Sequence, residues 1–171
     1  MRNPDFTREF IAQSIYRIEL SSERIEKSFL LLEEEDTWKR PNDASNSIGN
    51  LVLHLCGNIT QYIISSLGGK PDNRVRDLEF STKSGYTKVQ VLAKLREVVK
   101  EAKEVICNIP EEELLRVRSV QGFNISGIAI VIHVVEHYSY HTGQIAFWTK
   151  LLKEKDLGFY AGIDLNKKNN T

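Results

Sequence analysis

The chain has 171 residues, and its 23 lysines and arginines balance 23 aspartates and glutamates, so the formal net charge at neutral pH is zero. A chain of this length fits one domain with a sizeable core. The even charge balance and the lack of a basic run argue against nucleic acid as a partner. No apolar stretch approaches the ~20 residues that a bilayer span needs, so we expect no membrane partner.

The N-terminal stretch and the cysteines bear on location. The first residues, MRNPDFTREFIAQ, are charged and lack the apolar segment of a signal peptide. Cys56 and Cys107 form no Cys-x-x-Cys motif and no disulfide framework. These features are typical of a cytoplasmic protein with reduced thiols, and we expect both cysteines to be small core residues.

Apolar residues recur at helical spacing in four long stretches, which predicts helices at about 6–35, 48–67, 88–107 and 126–152. Candidate capping residues precede the last three helices: Ser45 or Ser47, Thr87 with Gln90, and Asn124 or Ser126. Four such helices predict a single all-α domain, a four-helix bundle. Periodicity does not choose between simple up-and-down order and a crossover connection.

Three connecting segments have no helical period. The first, GGKPDNRVRDLEFSTKSGY, predicts a long ordered loop between the second and third helices. Its charged residues are candidates for the mouth of a pocket or, alternatively, for surface ion pairs: Arg74, Arg76, Asp77 and Glu79. The second, Leu114 to Val120, indicates an extended segment or a short turn of helix at Glu111. In the tail, 158–171, we expect the aromatic residues to fold back on the bundle and the polar end to be disordered.

The second and fourth helices carry almost no charge. Residues 44–69 contain no Asp, Glu, Lys or Arg, and residues 119–149 contain only Glu136. Helices without a charged face are buried on most sides. We therefore place both in the bundle centre or against another subunit, and we expect a homodimer that forms through an uncharged helix face.

All four histidines lie in these two uncharged helices. His133, His137 and His141 are four residues apart, so each lies about 40° from the last around a helix and adjacent pairs can reach a common point. His54 is alone in the second helix. Three neutral imidazoles at one point suit zinc or nickel and leave coordination positions open, as in catalytic sites.

We therefore predict that His54 meets His137 and His141 and that the three hold one divalent metal ion. The spacing leaves open that these histidines are core residues, each hydrogen-bonded to a neighbour. Cys56 lies about 200° around the helix from His54 and is a poor fourth ligand. Glu136 lies about 100° around the helix from His137. It is therefore better placed to contact a metal-binding histidine, or a partner subunit, than to bind the ion itself.

The two histidine motifs read SIGNLVLH at residues 47–54 and HYSYHTGQ at residues 137–144. Together they resemble the motifs of the DinB/YfiT-like metalloenzymes. The stretch LHLCGNITQYI followed by GGKPDNRVRDLEF is similar to the branch known only as a domain of unknown function. The resemblance extends from about Phe6 to Phe159 and covers nearly the whole chain.

The resemblance implies a bundle in which the second-helix histidine and two fourth-helix histidines bind one divalent metal, zinc or nickel in different members. It assigns these roles to His54, His137 and His141. His133 is outside the motif, and it either orients a ligand or replaces His141 if the helix is rotated. For Gly143 we expect a role in close helix packing, and for Gln144 a role in orienting a ligand or loop.

Similar proteins include transferases and isomerases that use low-molecular-weight thiols such as bacillithiol or mycothiol. The resemblance therefore implies a metal-dependent enzyme of the thiol transferase or hydrolase type, with a small-molecule thiol as substrate. The alternatives are a non-catalytic metal- or ligand-binding stress protein on the same bundle and, third, a metal-free interaction module. An open cleft at the metal, with polar groups nearby, would favour the enzyme. Candidates for those polar groups are Arg74, Arg76, Tyr138 and Asn58.

Overall fold

Four long helices form the bundle in the computed structural model, which describes residues 4–169 of the chain. They are α1 (Pro4–Leu31), α2 (Ile48–Ile59, continued by a π-helical segment, Thr60–Leu67), α4 (Lys88–Asn108) and α6 (Gly127–Lys153). Each contributes apolar side chains that are 2% exposed or less, among them Ile25, Ile59, Leu95 and Ile130. The predicted all-α four-helix bundle is confirmed.

The helix directions show that the bundle contains a crossover. Ion pairs from Glu26 to Arg96 and from Glu19 to Lys103 place α1 antiparallel to α4. In contrast, α2 and α4 run in the same direction. Leu53 shares a cleft with Lys94, whereas Gly68, which follows the end of α2, lies against Val105, further along α4. The connection between α2 and α4 therefore runs back along the bundle, so that α4 begins at the same end as α2.

That connection contains a short helix, α3 (Arg76–Ser81), within the stretch predicted as a loop. The Asn50 side chain, in the first turn of α2, donates to the backbone oxygens of Glu79 and Thr82 at 2.9 and 2.7 Å. Arg40 donates to the oxygen of Phe80 at 2.8 Å. Because these donors are buried or partly buried, they hold α3 firmly against the start of α2.

A small hairpin precedes α6. The sequence indicated either a turn of helix at Glu111 or an extended segment after it, and the structure contains both. The short helix α5 (Glu111–Leu115) is followed by the antiparallel strands β1 (Val117–Val120) and β2 (Phe123–Ser126). Ser126 then caps α6 by accepting from the Ala129 amide, and Ser47 caps α2 in a capping box with Asn50.

The structure differs from the sequence expectations at a few places. The first helix ends at Leu31, before the predicted residue 35, and Glu35–Thr37 form a 3-10 turn in which buried Asp36 pairs with Lys153. The expectation that Cys107 is a core residue is wrong, because this thiol is exposed while Cys56 is buried.

The tail and the helix surfaces complete the fold. Phe159 and Tyr160 fold back on the bundle and stack near the Arg24 guanidinium. Of the polar end that was expected to be disordered, the last two residues lie outside the described part of the chain. Within residues 4–169, none of the helices combines the length and the apolar character required to cross a membrane.

Candidate metal centre

Three histidines from two antiparallel helices meet in the middle of the bundle. One ring nitrogen from each of His54, His137 and His141 lies within 4.8 Å of the others. The Nε2 atom of His137 is 3.1 Å from that of His54 and 3.2 Å from that of His141. The structure therefore brings together the three residues that the sequence predicted as metal ligands.

The opposite ring nitrogens of two of these histidines have their own partners. His54 Nδ1 lies 2.8 Å from Glu79 Oε2, and because a carboxylate only accepts, Nδ1 is the donor. His141 Nδ1 likewise donates to Gln144 Oε1 at 2.6 Å. With the proton on Nδ1, the Nε2 atoms of both rings present lone pairs to the shared centre, which is how metal-binding histidines are held.

Glu79 is itself held by a buried arginine. Arg74 donates from Nε to Glu79 Oε1 at 2.7 Å and from Nη2 to Oε2 at 2.9 Å. Burial alone would raise the pKa of Glu79, but the hydrogen bonds from Arg74 and His54 outweigh it, so the pKa lies below its usual value. Glu79 is therefore ionised at neutral pH and accepts the His54 proton as a carboxylate.

Gly57 makes room for this contact. It lies one turn of α2 after His54, and a Cβ atom built there would overlap the Glu79 carboxylate and reach within 2.9 Å of Arg74 Nε. The absence of a side chain at this position thus allows the crossover segment to approach α2 closely enough for Glu79 to reach His54.

His137 occupies the centre of the cluster and is the least satisfied of its members. Burial, followed by the neighbouring His141 and His54, lowers the pKa of His137 to about 3. Its Nδ1 atom is buried and has no hydrogen-bond partner among the described residues. The neutral His137 ring carries one N–H proton, so it can donate to only one of the two Nε2 lone pairs that face it, those of His54 and His141.

This donor set fits a divalent metal ion. Burial also lowers the pKa of His141, so His137 and His141 are neutral near pH 7, as ligand imidazoles must be. A cation between the three nitrogens would replace a contact between lone pairs with three favourable bonds. The three histidines can therefore hold a metal ion, with coordination positions left for other ligands.

His133 lies one turn before His137 but outside the cluster. Its Nε2 atom is 3.2 Å from Asn58 Nδ2, and its ring stacks on Tyr62 with centroids 4.3 Å apart. It therefore packs between α2 and α6 and does not take the place of His141.

The residues suggested for the pocket mouth lie in different surroundings. The side chains of Arg74 and Glu79 form a buried ion pair, not a surface one, and lie in the wall of a cleft of about 370 Å³. Tyr138 points away from the histidines and hydrogen-bonds Ser22 on α1 at 2.8 Å. Arg76 lies over the Phe80 ring, which in turn contacts His54.

Sequence reasoning missed the contact of Glu79 with His54, because 25 positions separate the two residues. Gln144 was detectable, since it follows His141 by three residues and therefore lies on the same side of the helix. Glu136, considered as a possible contact to a ligand, is on the exposed side of α6.

A cleft of about 510 Å³ reaches the edge of the histidine cluster. His141 and Gln144 form part of its wall, together with residues of α6, Leu51 of α2 and the loop before α2. His141 is 9% exposed, and His137 is only partly buried. The cluster is therefore accessible from the surface.

A profile of the family described as a protein of unknown function (DUF1572) matches residues 5–162. Since the match spans most of the chain, the chain belongs to this family, and the predicted membership of a family of unknown function is confirmed. No curated protein matches the sequence.

Solved structures show the same fold. A DinB-like protein from Bacillus subtilis is 15% identical with a TM-score of 0.64, over 86% of this chain and 94% of that one. A conserved protein from Enterococcus faecalis is 17% identical with a TM-score of 0.71, over 84% and 97%. A DinB-like protein from Bacillus cereus is 14% identical with a TM-score of 0.66, over 84% and 90%. At such identities the likeness establishes the fold alone.

The lowered pKa of His137 predicts that the metal-free protein is less stable in acid. The unfolded chain takes up a proton near the ordinary value of 6.5, whereas the folded chain resists until about 3. The contribution of His137 to the free energy of unfolding should therefore fall by about 2 kcal/mol between pH 7 and pH 5. Urea unfolding with a chelator present measures this change. A His137→Asn variant should lose less over the same interval, and an unchanged slope would contradict the assignment.

Proposed function

We propose that the protein is a metal-dependent enzyme in which His54, His137 and His141 bind one divalent ion, zinc or nickel. The observation that carries this proposal is the convergence of three imidazole nitrogens, two of them oriented by Glu79 and Gln144. Imidazole ligands suit both metals, and three protein ligands are typical of catalytic sites.

The proposed reaction is thiol transfer or hydrolysis. A bound divalent ion supplies a Lewis acid that lowers the pKa of a thiol or a water molecule in an open coordination position. The chain's own residues prepare that position: Glu79 and Gln144 keep the two imidazoles in one tautomer, and Arg74 keeps Glu79 ionised.

The cleft beside His141 favours an enzyme over a non-catalytic stress protein on the same bundle. A purely structural ion is normally closed off by a complete set of protein ligands and needs no path from solvent. Here the wall of a 510 Å³ cleft includes a proposed ligand. The free thiols of Cys56 and Cys107 support the predicted cytoplasmic location, where cysteines remain reduced.

The metal content of tag-free protein tests the site directly. We expect close to one zinc or nickel ion per chain by mass spectrometry, and loss of that ion in a His137→Ala, His141→Ala double variant. His133→Ala is the matched control, because it removes a neighbouring histidine outside the cluster, and it should retain the ion. Absence of bound metal from the native protein, even after incubation with both ions, would leave the metal-free interaction module as the better explanation.

Activity separates the enzyme from its non-catalytic alternative. Metal-loaded protein should accelerate either the loss of small thiols in the presence of an electrophile or the hydrolysis of a simple ester, and the double variant should not. Full metal occupancy without either activity, over a broad panel of substrates, would favour the stress-protein alternative.

The contact between Glu79 and His54 predicts a large effect from a small change. Glu79→Gln keeps the shape and one acceptor oxygen but removes the charge, so metal affinity should fall about 10- to 100-fold, the range usual for partners of metal-binding histidines. Competition with a fluorescent chelator measures the affinity. Glu113→Gln, which alters a remote ion pair with Arg118, is the control and should leave it unchanged.

We also propose a homodimer, with the exposed face of α6 around Ile132, Ser139 and Gly143 as the contact. These residues lie within about 40° of one another around the helix, and a Cβ built at Gly143 meets no atom within 4 Å. A helical glycine is unfavourable by about 1 kcal/mol, and no packing among residues 4–169 explains Gly143, so its small size suits close approach by a second helix.

Light scattering tests this contact. Native protein should have the mass of a dimer, and Gly143→Arg should shift it to a monomer because the large charged side chain blocks the face. Val89→Arg on α4, where the native side chain is 71% exposed, is the control and should remain dimeric. A native monomer at all concentrations, or a dimer that survives Gly143→Arg, would exclude this interface.

A further inference from the structure

The cleft beside His141 differs in chemistry from the other grooves of the bundle. We propose that it binds a neutral, largely apolar small molecule, which is the uncharged substrate of the enzyme; the identification as a substrate rests on the function proposed above. Within that function, the cleft fits an apolar electrophile or ester and does not fit an acidic low-molecular-weight thiol.

The first argument is the apolar wall that α6 presents to solvent. Tyr140, Phe147 and Leu151 line the cleft and are 63%, 69% and 59% exposed. Leu51 and Trp148 extend this surface inward. Large apolar side chains that cluster on a surface indicate a binding site more often than chance exposure does.

The second argument is charge. None of the described residues that line the cleft is Asp, Glu, Lys or Arg. An ionic ligand would exchange water for this wall without gaining an opposite charge. The groove between α1 and α4, about 450 Å³, is lined instead by charged residues such as Glu19, Glu26, Arg96 and Lys103.

The third argument is the small set of polar groups. The Oε1 atom of Gln144 accepts from His141, so its amide N–H groups remain to donate into the cleft. Asn42 similarly uses its oxygen to accept from Ala44 N and Ser45 Oγ, which leaves its N–H groups as donors. Two amide donors on an apolar wall suit a carbonyl or ether oxygen on an otherwise apolar molecule.

The position of the cleft connects this ligand with the metal centre. His141 belongs to both, since its Nε2 faces the other histidines while its ring forms part of the cleft wall. Around α6, the cleft residues Tyr140, Leu151 and Gln144 lie about 60°, 80° and 100° from Gly143, the nearest residue of the proposed dimer face, and Phe147 lies about 40° from it, so a partner there would border the cleft at Phe147.

Three probes of similar shape and different charge test the proposal: phenylacetamide, phenylacetate and phenethylammonium. The two tryptophan indole N–H signals in a proton–nitrogen correlation spectrum report binding. Trp148 is in the cleft wall, whereas Trp38 packs on Gly49 and donates to the Tyr86 oxygen. Phenylacetamide should shift the Trp148 signal and not that of Trp38, with an affinity at least tenfold above those of the two ions.

A pair of variants checks the location. Tyr140→Ala should weaken phenylacetamide binding several-fold, whereas Tyr16→Ala, which removes a similarly exposed tyrosine from α1, should not. Equal binding of all three probes, a preference for an ion, or equal effects of both variants would overturn the neutral-ligand cleft.

The titrations are run on metal-free and on zinc-loaded protein, so that the two proposals can fail separately. Zinc binding without any probe shift overturns the cleft alone. A Trp148 shift by phenylacetamide in a protein that binds no metal overturns the metal-dependent function, and it supports the cleft as a neutral-ligand site.

Discussion

The candidate site depends on one buried contact, the hydrogen bond from His54 to Glu79. It joins the bundle to the crossover segment, because His54 lies inside α2 and Glu79 lies in α3. Buried charges are stable only when paired and hydrogen-bonded, and Arg74 meets both needs from the same segment. The close approach further requires Gly57, since any side chain there would displace the carboxylate. Three residues, Glu79, Arg74 and Gly57, thus set the orientation of the His54 imidazole.

The rest of the site follows from the positions of the helices. Because α2 and α6 are antiparallel, residues two turns into α2 face the middle of α6, where His137 and His141 occupy successive turns. Gln144 orients His141 from within α6, a local contact that needs no other element. One outer ligand is therefore fixed by its own helix and the other by a distant segment, while central His137 has no partner for Nδ1 among the described residues.

Charge is distributed in a way that suits chemistry at this centre. The buried ion pair lies behind His54, and the accessible cleft lies beside His141 without an ionised side chain. A reacting molecule that enters by the cleft would therefore meet apolar surface and amide donors before it meets the histidines. The long-range ion pairs between α1 and α4 lie on another side of the bundle and act on its packing.

The sequence by itself determined the four long helices, the central place of the two uncharged ones, and the meeting of His54 with His137 and His141. The helices and their central place follow from periodicity and composition, which are properties of neighbouring residues. The meeting of the histidines was predicted from their confinement to the two uncharged helices and from the resemblance of their motifs. Only the tertiary structure decided the crossover order, the short helix α3 and the burial of Arg74 with Glu79. Periodicity carries no information about contacts between distant segments, and charged residues in a stretch without a period look like a solvated loop until their partners are known. The exposed position of Cys107 has the same cause, because a small residue at the end of a helix is placed by what packs against it.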